Sequence, residues 1–436
     1  MCMIIHMIDP LAESLNNTLR PTVAYRLLSD MGQRMFFPKG IIAQGAEAKK
    51  FGKKTNATIG MAVEAGEPLI LPSVKKEFAF LSAAEAVAYA PTAGNPEFRR
   101  LWKEQLIKKN PSLKDKTFSI PVVTPGLTAG ISYICDLFLS SKDTLLTTDP
   151  SWDNYSLIAE TRCNAKLERF QLFNDTGFNR QSFENAVRKQ ATKGSLRLLL
   201  NFPQNPSGYS PTKEEEAFIT SVLLDIAKQG TDILVLVDDA YFGLNYEDNI
   251  APESLFASLC NIHENIFAVK IDGPTKEDFA WGFRAGFLTF GSKGMVEEQY
   301  DALIRKLMGI IRSSVSCGST PAQSIMIRTI NNPKIESEKK KIRAILEERY
   351  TLVRNFVNER RNNKILTPLP FNSGYFMCFK CNGIDAEDLR YKLLHEYQIG
   401  TIALGCDYLR IAFSSIDSDQ IEEVYSTVYK AAEELA

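Results

Sequence analysis

The chain has 436 residues, 44% hydrophobic and 24% charged, an ordinary globular balance and too much length for one small core, so two compact units are expected. Its 51 basic and 52 acidic side chains leave a formal charge of -1, with no electrostatic footprint for nucleic acid or an anionic membrane. No apolar run approaches bilayer-spanning length, Met1–Pro10 lacks the basic lead-in and cleavage site of a signal peptide, and eight scattered cysteines suit a reducing cytoplasm.

In chain order, a helix-like stretch at 40–50 leads into Asn56-Ala57-Thr58-Ile59-Gly60. From about residue 80 to 330, apolar segments read as strands: Ile120–Val123, Thr144–Thr148, Lys166–Phe170, Leu196–Asn201, Ile233–Asp238, Asn265–Ile271 and Gly286–Phe290. Amphipathic helical segments around 127–139, 179–190, 212–228 and 294–311 alternate with them. The alternation predicts an α/β unit on a mostly parallel seven-stranded sheet, with ligands beyond the carboxyl ends of the strands.

After residue 330 the texture changes. A charged helix over Glu336–Asn362, a turn at Thr367-Pro368-Leu369-Pro370, strands at 374–380 and Tyr408–Phe413, and helices at 385–397 and 416–433 describe a smaller α+β unit. The expected division is an N-terminal arm at 1–75 that packs with the smaller unit, a large domain at 76–330 and a small domain at 331–436.

Cys378 and Cys381 form a C-x-x-C inside an apolar run, and with no second Cys or His pair they read as a buried strand. His6, His263 and His395 accompany no nucleophile and no second metal ligand, so no metal site is expected.

Motifs with chemical content fall at strand ends. Pro125-Gly126-Leu127-Thr128-Ala129-Gly130 follows the first strand and opens a helix, where backbone N–H groups favour a phosphate and Gly126 permits close approach. It has neither G-x-G-x-x-G nor G-x-x-x-x-G-K-[ST], which argues against dinucleotides and nucleoside triphosphates. Trp152 offers an indole to stack on a flat ring, or else a core side chain. Asn205-Pro206-Ser207-Gly208 is a turn after the fourth strand.

Asp238 ends the apolar run Ile233–Val237, where a buried acid requires a cationic partner, and Tyr241 can reach the same ligand. Asp239 suits a helix N-cap. Lys276 lies on the turn after the sixth strand with Arg284 eight residues on, so amine and guanidinium can meet one small anion; a solvated turn lysine is the plain alternative. Lysine, carboxylate, phosphate cup and flat partner are the four requirements of pyridoxal phosphate.

In this order the motifs resemble the fold-type I aminotransferases of class I/II, from Asn56 to Phe413. The run is Tyr89-Ala90-Pro91-Thr92-Ala93-Gly94, Gly126-Leu127-Thr128, Trp152, Asn205-Pro206-Ser207-Gly208, Asp238-Asp239-Ala240-Tyr241, Lys276 to Arg284, and Arg410-Ile411-Ala412-Phe413. The resemblance implies that Lys276 bonds the cofactor and shuttles the proton, that Asp238 partners the pyridine nitrogen, and that Asn205 and Tyr241 donate to the ring oxygen. It implies Thr128 and Arg284 as phosphate ligands, beside Gly126 and Leu127, and Trp152 as the stacking ring. Tyr89 corresponds to a tyrosine that crosses a homodimer to the neighbouring site. Arg410 corresponds to the arginine that pairs with the substrate α-carboxylate, and Gly60 to a segment folding over the substrate. Arg312 falls in the stretch that supplies an arginine reading the substrate side chain, but a gap follows Ser316.

Two positions depart from the pattern. Gly273 stands where a Ser or Thr phosphate ligand is usual, and Tyr155 where the aspartate branch has a histidine. The implied activity is amino-group transfer between an α-amino acid and a 2-oxo acid. A C–S lyase or amino-acid decarboxylase on the same fold is the alternative, and a nicotinamide-dependent dehydrogenase a distant one.

Overall fold

Apolar runs bounded by turn residues form one seven-stranded sheet: β1 (Val122–Thr124), β2 (Thr144–Asp149), β3 (Lys166–Gln171), β4 (Ser195–Asn201), β5 (Asp232–Asp238), β6 (Ile266–Asp272) and β7 (Gly286–Gly291). Its order is β1-β7-β6-β5-β4-β2-β3. The β6–β5, β5–β4, β4–β2 and β2–β3 pairs are parallel, and β7 runs antiparallel to both its neighbours. The computed structural model describes residues 8–20, 28, 30–35, 40–174 and 177–436. Met1–Met7, on which most of the signal-peptide reading falls, lie outside the described residues.

The sheet is buried on both faces, which is why its central strands are near-continuous apolar runs. Leu234 and Leu236 of β5 pack into one core with Ile131 and Ile271. Ile233, Val235 and Val237 pack into another with Phe256 and Phe287. The same alternation sends Asp238 to the first face and Asp239 to the second.

Helices Leu127–Phe138, Arg180–Ala191, Lys213–Lys228 and Glu297–Ser314 fall where the amphipathic segments predict them. Helices Pro96–Lys109 and Thr320–Ile330 were not read from the pattern, although each carries a start signal: Asn95 before Pro96, and Ser319 with a proline in the first turn.

Helix Ile335–Asn358 leads into a four-stranded antiparallel sheet of β8 (Leu366–Pro368), β9 (Phe376–Cys381), β10 (Ile402–Leu404) and β11 (Tyr408–Ala412), ordered β8-β9-β11-β10. The proline-rich turn expected at 367–370 thus begins as a strand. Pro368 is tolerated because β8 is an edge. Thr55–Asn56 pairs in parallel with Ile399–Gly400, which ties the N-terminal segment to this smaller sheet. Cys378 and Cys381 are buried and free, and burial pushes the Cys381 thiol up to about 12, so the pair behaves as core. Among the described residues no helix is long and apolar enough to cross a membrane.

Candidate active site

A cavity of about 290 Å³ lies past the carboxyl ends of β1, β2, β4, β5 and β6, where this topology places ligands. Asp238 forms its floor. Tyr155 donates its hydroxyl to Asp238 Oδ2 at 2.5 Å, and the Ala240 N–H donates to Oδ1 at 3.2 Å. Burial raises the Asp238 pKa above the ordinary carboxylate value, opposed by the Tyr155 hydrogen bond, the Lys276 charge and the Ala240 N–H. Tyr155 thus supports this buried acid with a phenol, and burial beside Asp238 pushes its own titration far upward.

Lys276 lies in the single helical turn Pro274–Glu277, just past β6. Its Nζ is 4.9 Å from the Tyr241 ring centroid. Tyr375 fixes the turn by donating its hydroxyl to the Lys276 carbonyl at 2.9 Å. Burial lowers the Lys276 pKa to about 8, with Asp238 opposing and Arg284 reinforcing the shift.

At the opposite end, Gly126 precedes helix Leu127–Phe138 with φ +95°, a conformation that only glycine adopts without strain. A Cβ there would lie 2.5 Å from Arg284 Nη2, so glycine also makes room for the guanidinium. Leu127, Thr128 and Arg284 line this end. Gly273 cannot be the missing serine or threonine, because a Cβ would sit 2.9 Å from the Ala285 carbonyl oxygen. The hydroxyl lining the cavity nearby is that of Thr275, two residues on, whose Oγ1 donates to Ala285 O at 3.3 Å.

Arg410 projects into the cavity from β11 of the smaller sheet, beside Phe376 at the start of β9. Its Nη1 donates to Asn205 Oδ1 at 2.9 Å and its Nη2 to the Thr58 carbonyl at 3.0 Å. The buried Nε has no hydrogen-bond partner among the described residues. The guanidinium stacks over Phe376, 4.3 Å from the ring centroid. Gly208 lets the Asn205 turn pack under β9: at φ +78° its Cβ would fall 1.9 Å from Phe376 O. Asn201 ties turn to floor, donating to the Asp238 carbonyl at 2.7 Å while its Oδ1 accepts the Asn205 N–H at 2.8 Å.

Lys276, Asp238, Tyr241, Asn205, Gly60, Leu127, Thr128, Trp152, Arg284 and Arg410 thus line one cavity. Trp152 meets Tyr155 edge to face at 5.4 Å between centroids. Tyr89 is 94% exposed and outside the cavity of its own chain. Arg312 is also outside it, exposed in the last turn of helix Glu297–Ser314. Tyr155 carried a sequence signal, its correspondence to the histidine of the aspartate branch; Asn201, Thr275 and Phe376 carried none, since only three-dimensional contact assigns them to the cavity.

Asp239 is not a helix N-cap. It is buried against Lys270, and Ser254 donates to its Oδ2 at 2.5 Å. No helix follows β5 directly for it to cap, so its acid is matched by a buried lysine instead.

A lysine and a buried aspartate thus face one cavity at the strand ends of a mostly parallel sheet. The chain belongs to the aminotransferase class I and II family, whose model matches residues 58–428. It is 27% identical over 316 residues to the "probable aspartate/prephenate aminotransferase" of Aquifex aeolicus, covering 72% of this chain and 74% of that one. It is 24% identical to the aspartate aminotransferase of Pyrococcus horikoshii, covering 79% and 83%. In fold it resembles the crystal structure of an aminotransferase from Anaerococcus prevotii, with a TM-score of 0.82, 22% identity and coverage of 94% and 99%.

The protein is a pyridoxal-phosphate-dependent aminotransferase that moves an amino group between an α-amino acid and a 2-oxo acid. The residues present fit that cofactor. Asp238 is a buried acid that a pyridinium nitrogen would neutralise, Arg284 beside the Cβ-free Gly126 would offer its phosphate a cation, and Lys276, lowered to about 8, would supply an amine to its carbonyl.

Proposed function

We propose that Lys276 bonds the cofactor and moves the proton, that Asp238 holds the pyridine nitrogen, and that Arg410 binds the substrate α-carboxylate. The observation that carries this reading is the pairing of two opposed burial effects in one cavity: the Lys276 amine is lowered to about 8 while the Asp238 acid is raised. Bound pyridoxal phosphate supplies an electron sink for the pair left when the substrate loses its α-proton. Once the substrate amine has displaced it from the cofactor, the freed Lys276 Nζ would take that proton from Cα and return it at C4′.

Arg410 is prepared for a carboxylate because Asn205 and Thr58 hold its Nη atoms while Nε remains open. Asn205, whose Oδ1 is engaged by Arg410, has its amide nitrogen for the ring oxygen, together with the Tyr241 hydroxyl. Gly126, Leu127, Thr128 and Arg284 cradle the phosphate, Trp152 stacks on the ring, and the Gly60 segment covers the substrate. Residues 76–330 act as the cofactor-binding domain, with 331–436 and the arm 1–75 as the smaller one.

We assign a homodimer in which Tyr89 reaches the neighbouring site. Its 94% exposure, with Val87 at 83% and Phe80 at 56%, supports a surface covered by a second copy. The cytoplasm suits seven described cysteines that are all free. The test is a panel of amino donors offered to the coloured enzyme, read by loss of the cofactor–lysine absorbance and by stoichiometric appearance of the amino group on the oxo acid. Cleavage or decarboxylation products in place of transfer would contradict the assignment.

A further inference from the structure

Behind the cavity, on the opposite face of the sheet, a line of buried and half-buried contacts joins the two chain segments that carry the proposed chemistry. Asp239, next to Asp238, meets Lys270 Nζ, and Lys270 has no exposed surface. Lys270 Nζ is 3.8 Å from Asp272 Oδ2, and Asp272 Oδ1 accepts the Trp102 indole N–H at 3.1 Å. The Trp102 ring lies 5.2 Å from Lys109 Nζ, which donates to Glu277 Oε2 at 2.6 Å. Glu277 is next to Lys276. Each reacting residue is thus followed by an acid pinned from behind by a lysine, and the two pins are linked.

We propose that Lys270 is a positioning residue for transamination, holding the Asp238 carboxylate and the Lys276 amine in register through Asp239, Asp272 and the Trp102–Lys109–Glu277 chain. The proposal rests on the roles given above to Asp238 and Lys276. Its physical basis is geometric. Adjacent residues at a strand end share a backbone, so fixing Asp239 on one face fixes the aim of Asp238 on the other. A buried carboxylate deprived of its cation must move or take up a proton, and either change is transmitted to its neighbour. A lysine within the sheet is otherwise an unfavourable choice where an apolar residue would pack at least as well.

The experiment uses the holoenzyme. Cofactor absorbance in the wild type and its loss in Lys276→Ala establish the site independently of Lys270; cofactor retained in Lys276→Ala overturns the site reading and the proposal with it. Asp239→Asn keeps the side-chain volume and removes the charge, Lys270→Met removes the cation, and Lys270→Arg keeps it. In Asp239→Asn and Lys270→Met we expect kcat to fall by about ten- to a hundredfold with KM within about twofold of wild type. The circular dichroism of the bound cofactor should change in both, and Lys270→Arg should recover most of the rate and the signal. Should Lys270→Met not fold, Asp239→Asn carries the test. Folded Asp239→Asn with lowered thermal stability but wild-type kcat and wild-type cofactor dichroism would overturn the proposal and leave the cluster a purely structural one.

Discussion

Asp238 and Asp239 are consecutive and equally buried, each 3% exposed, yet they face opposite sides of β5 and meet different partners. Asp238 points into the cavity toward Lys276 and Tyr155, and Asp239 points away from it onto Lys270. The division follows from the two-residue repeat of a strand and lets one dipeptide serve both chemistry and scaffold.

Asp238→Ala should lower kcat at least about a hundredfold, because the charge it supplies matters most as negative charge builds on the cofactor ring. Asp239→Ala should lower kcat less, by disturbing the aim of Asp238, but should also cost on the order of 3–5 kcal/mol of stability by stranding Lys270, against about 1 kcal/mol for a lost N-cap. Denaturant titration and steady-state kinetics of the two variants separate these effects. A stable Asp239→Ala protein would contradict the buried pair.

Tyr155→Phe tests the phenol that hydrogen-bonds Asp238. The Tyr155 hydrogen bond lowers an Asp238 pKa that burial raises, so removing it should raise that pKa further. In its proposed role Asp238 serves the cofactor as a carboxylate, so activity lost on acidification should begin at a higher pH in the variant. Lys276 and the Ala240 N–H, which also face Asp238, are unchanged. An acid limb at the wild-type pH would show that the hydrogen bond does not tune the acid.

Cofactor capture by the apoenzyme should accelerate as pH rises through about 8, since burial lowers the Lys276 pKa to about 8 and only the neutral amine attacks a carbonyl. Stopped-flow absorbance from pH 6.5 to 10 measures this. A rate that climbs only toward the ordinary lysine pKa near about 10.4 would mean that Lys276 is not desolvated.

Arg312→Ala should reduce activity toward aspartate and phenylalanine alike and only slightly. In its own chain Arg312 is an exposed cation in the last turn of a helix, a location worth at most about 1 kcal/mol. Arg410→Ala, by contrast, should impair every amino acid. A loss in Arg312→Ala confined to aspartate would place this arginine in the site of a second copy.

Strands β4, β5, β6 and β7 were legible because strands buried on both faces are apolar runs, which periodicity detects within a residue or two. Cavity residues on motifs at strand ends were legible for the same reason. Helix Pro96–Lys109 was not, since basic and acidic side chains interrupt its narrow apolar stripe of Phe98, Leu101, Trp102 and Leu106. Nor was the role of Asp239, because its partner Lys270 lies on another strand and pairing between β5 and β6 is a fact of the fold. Thr275 is not legible from the motif, because the family's hydroxyl position falls on Gly273, which β7 packs too closely for any side chain.

The central claim is that Lys276 carries the cofactor, and borohydride reduction of the holoenzyme followed by peptide mapping tests it most directly. The account predicts the reduced cofactor on Lys276 alone, since its amine lines the cavity and is poised near neutrality at pH 8. Modification of Lys270, whose amine is locked against Asp239 on the far face of the sheet, or of no lysine at all, would contradict it.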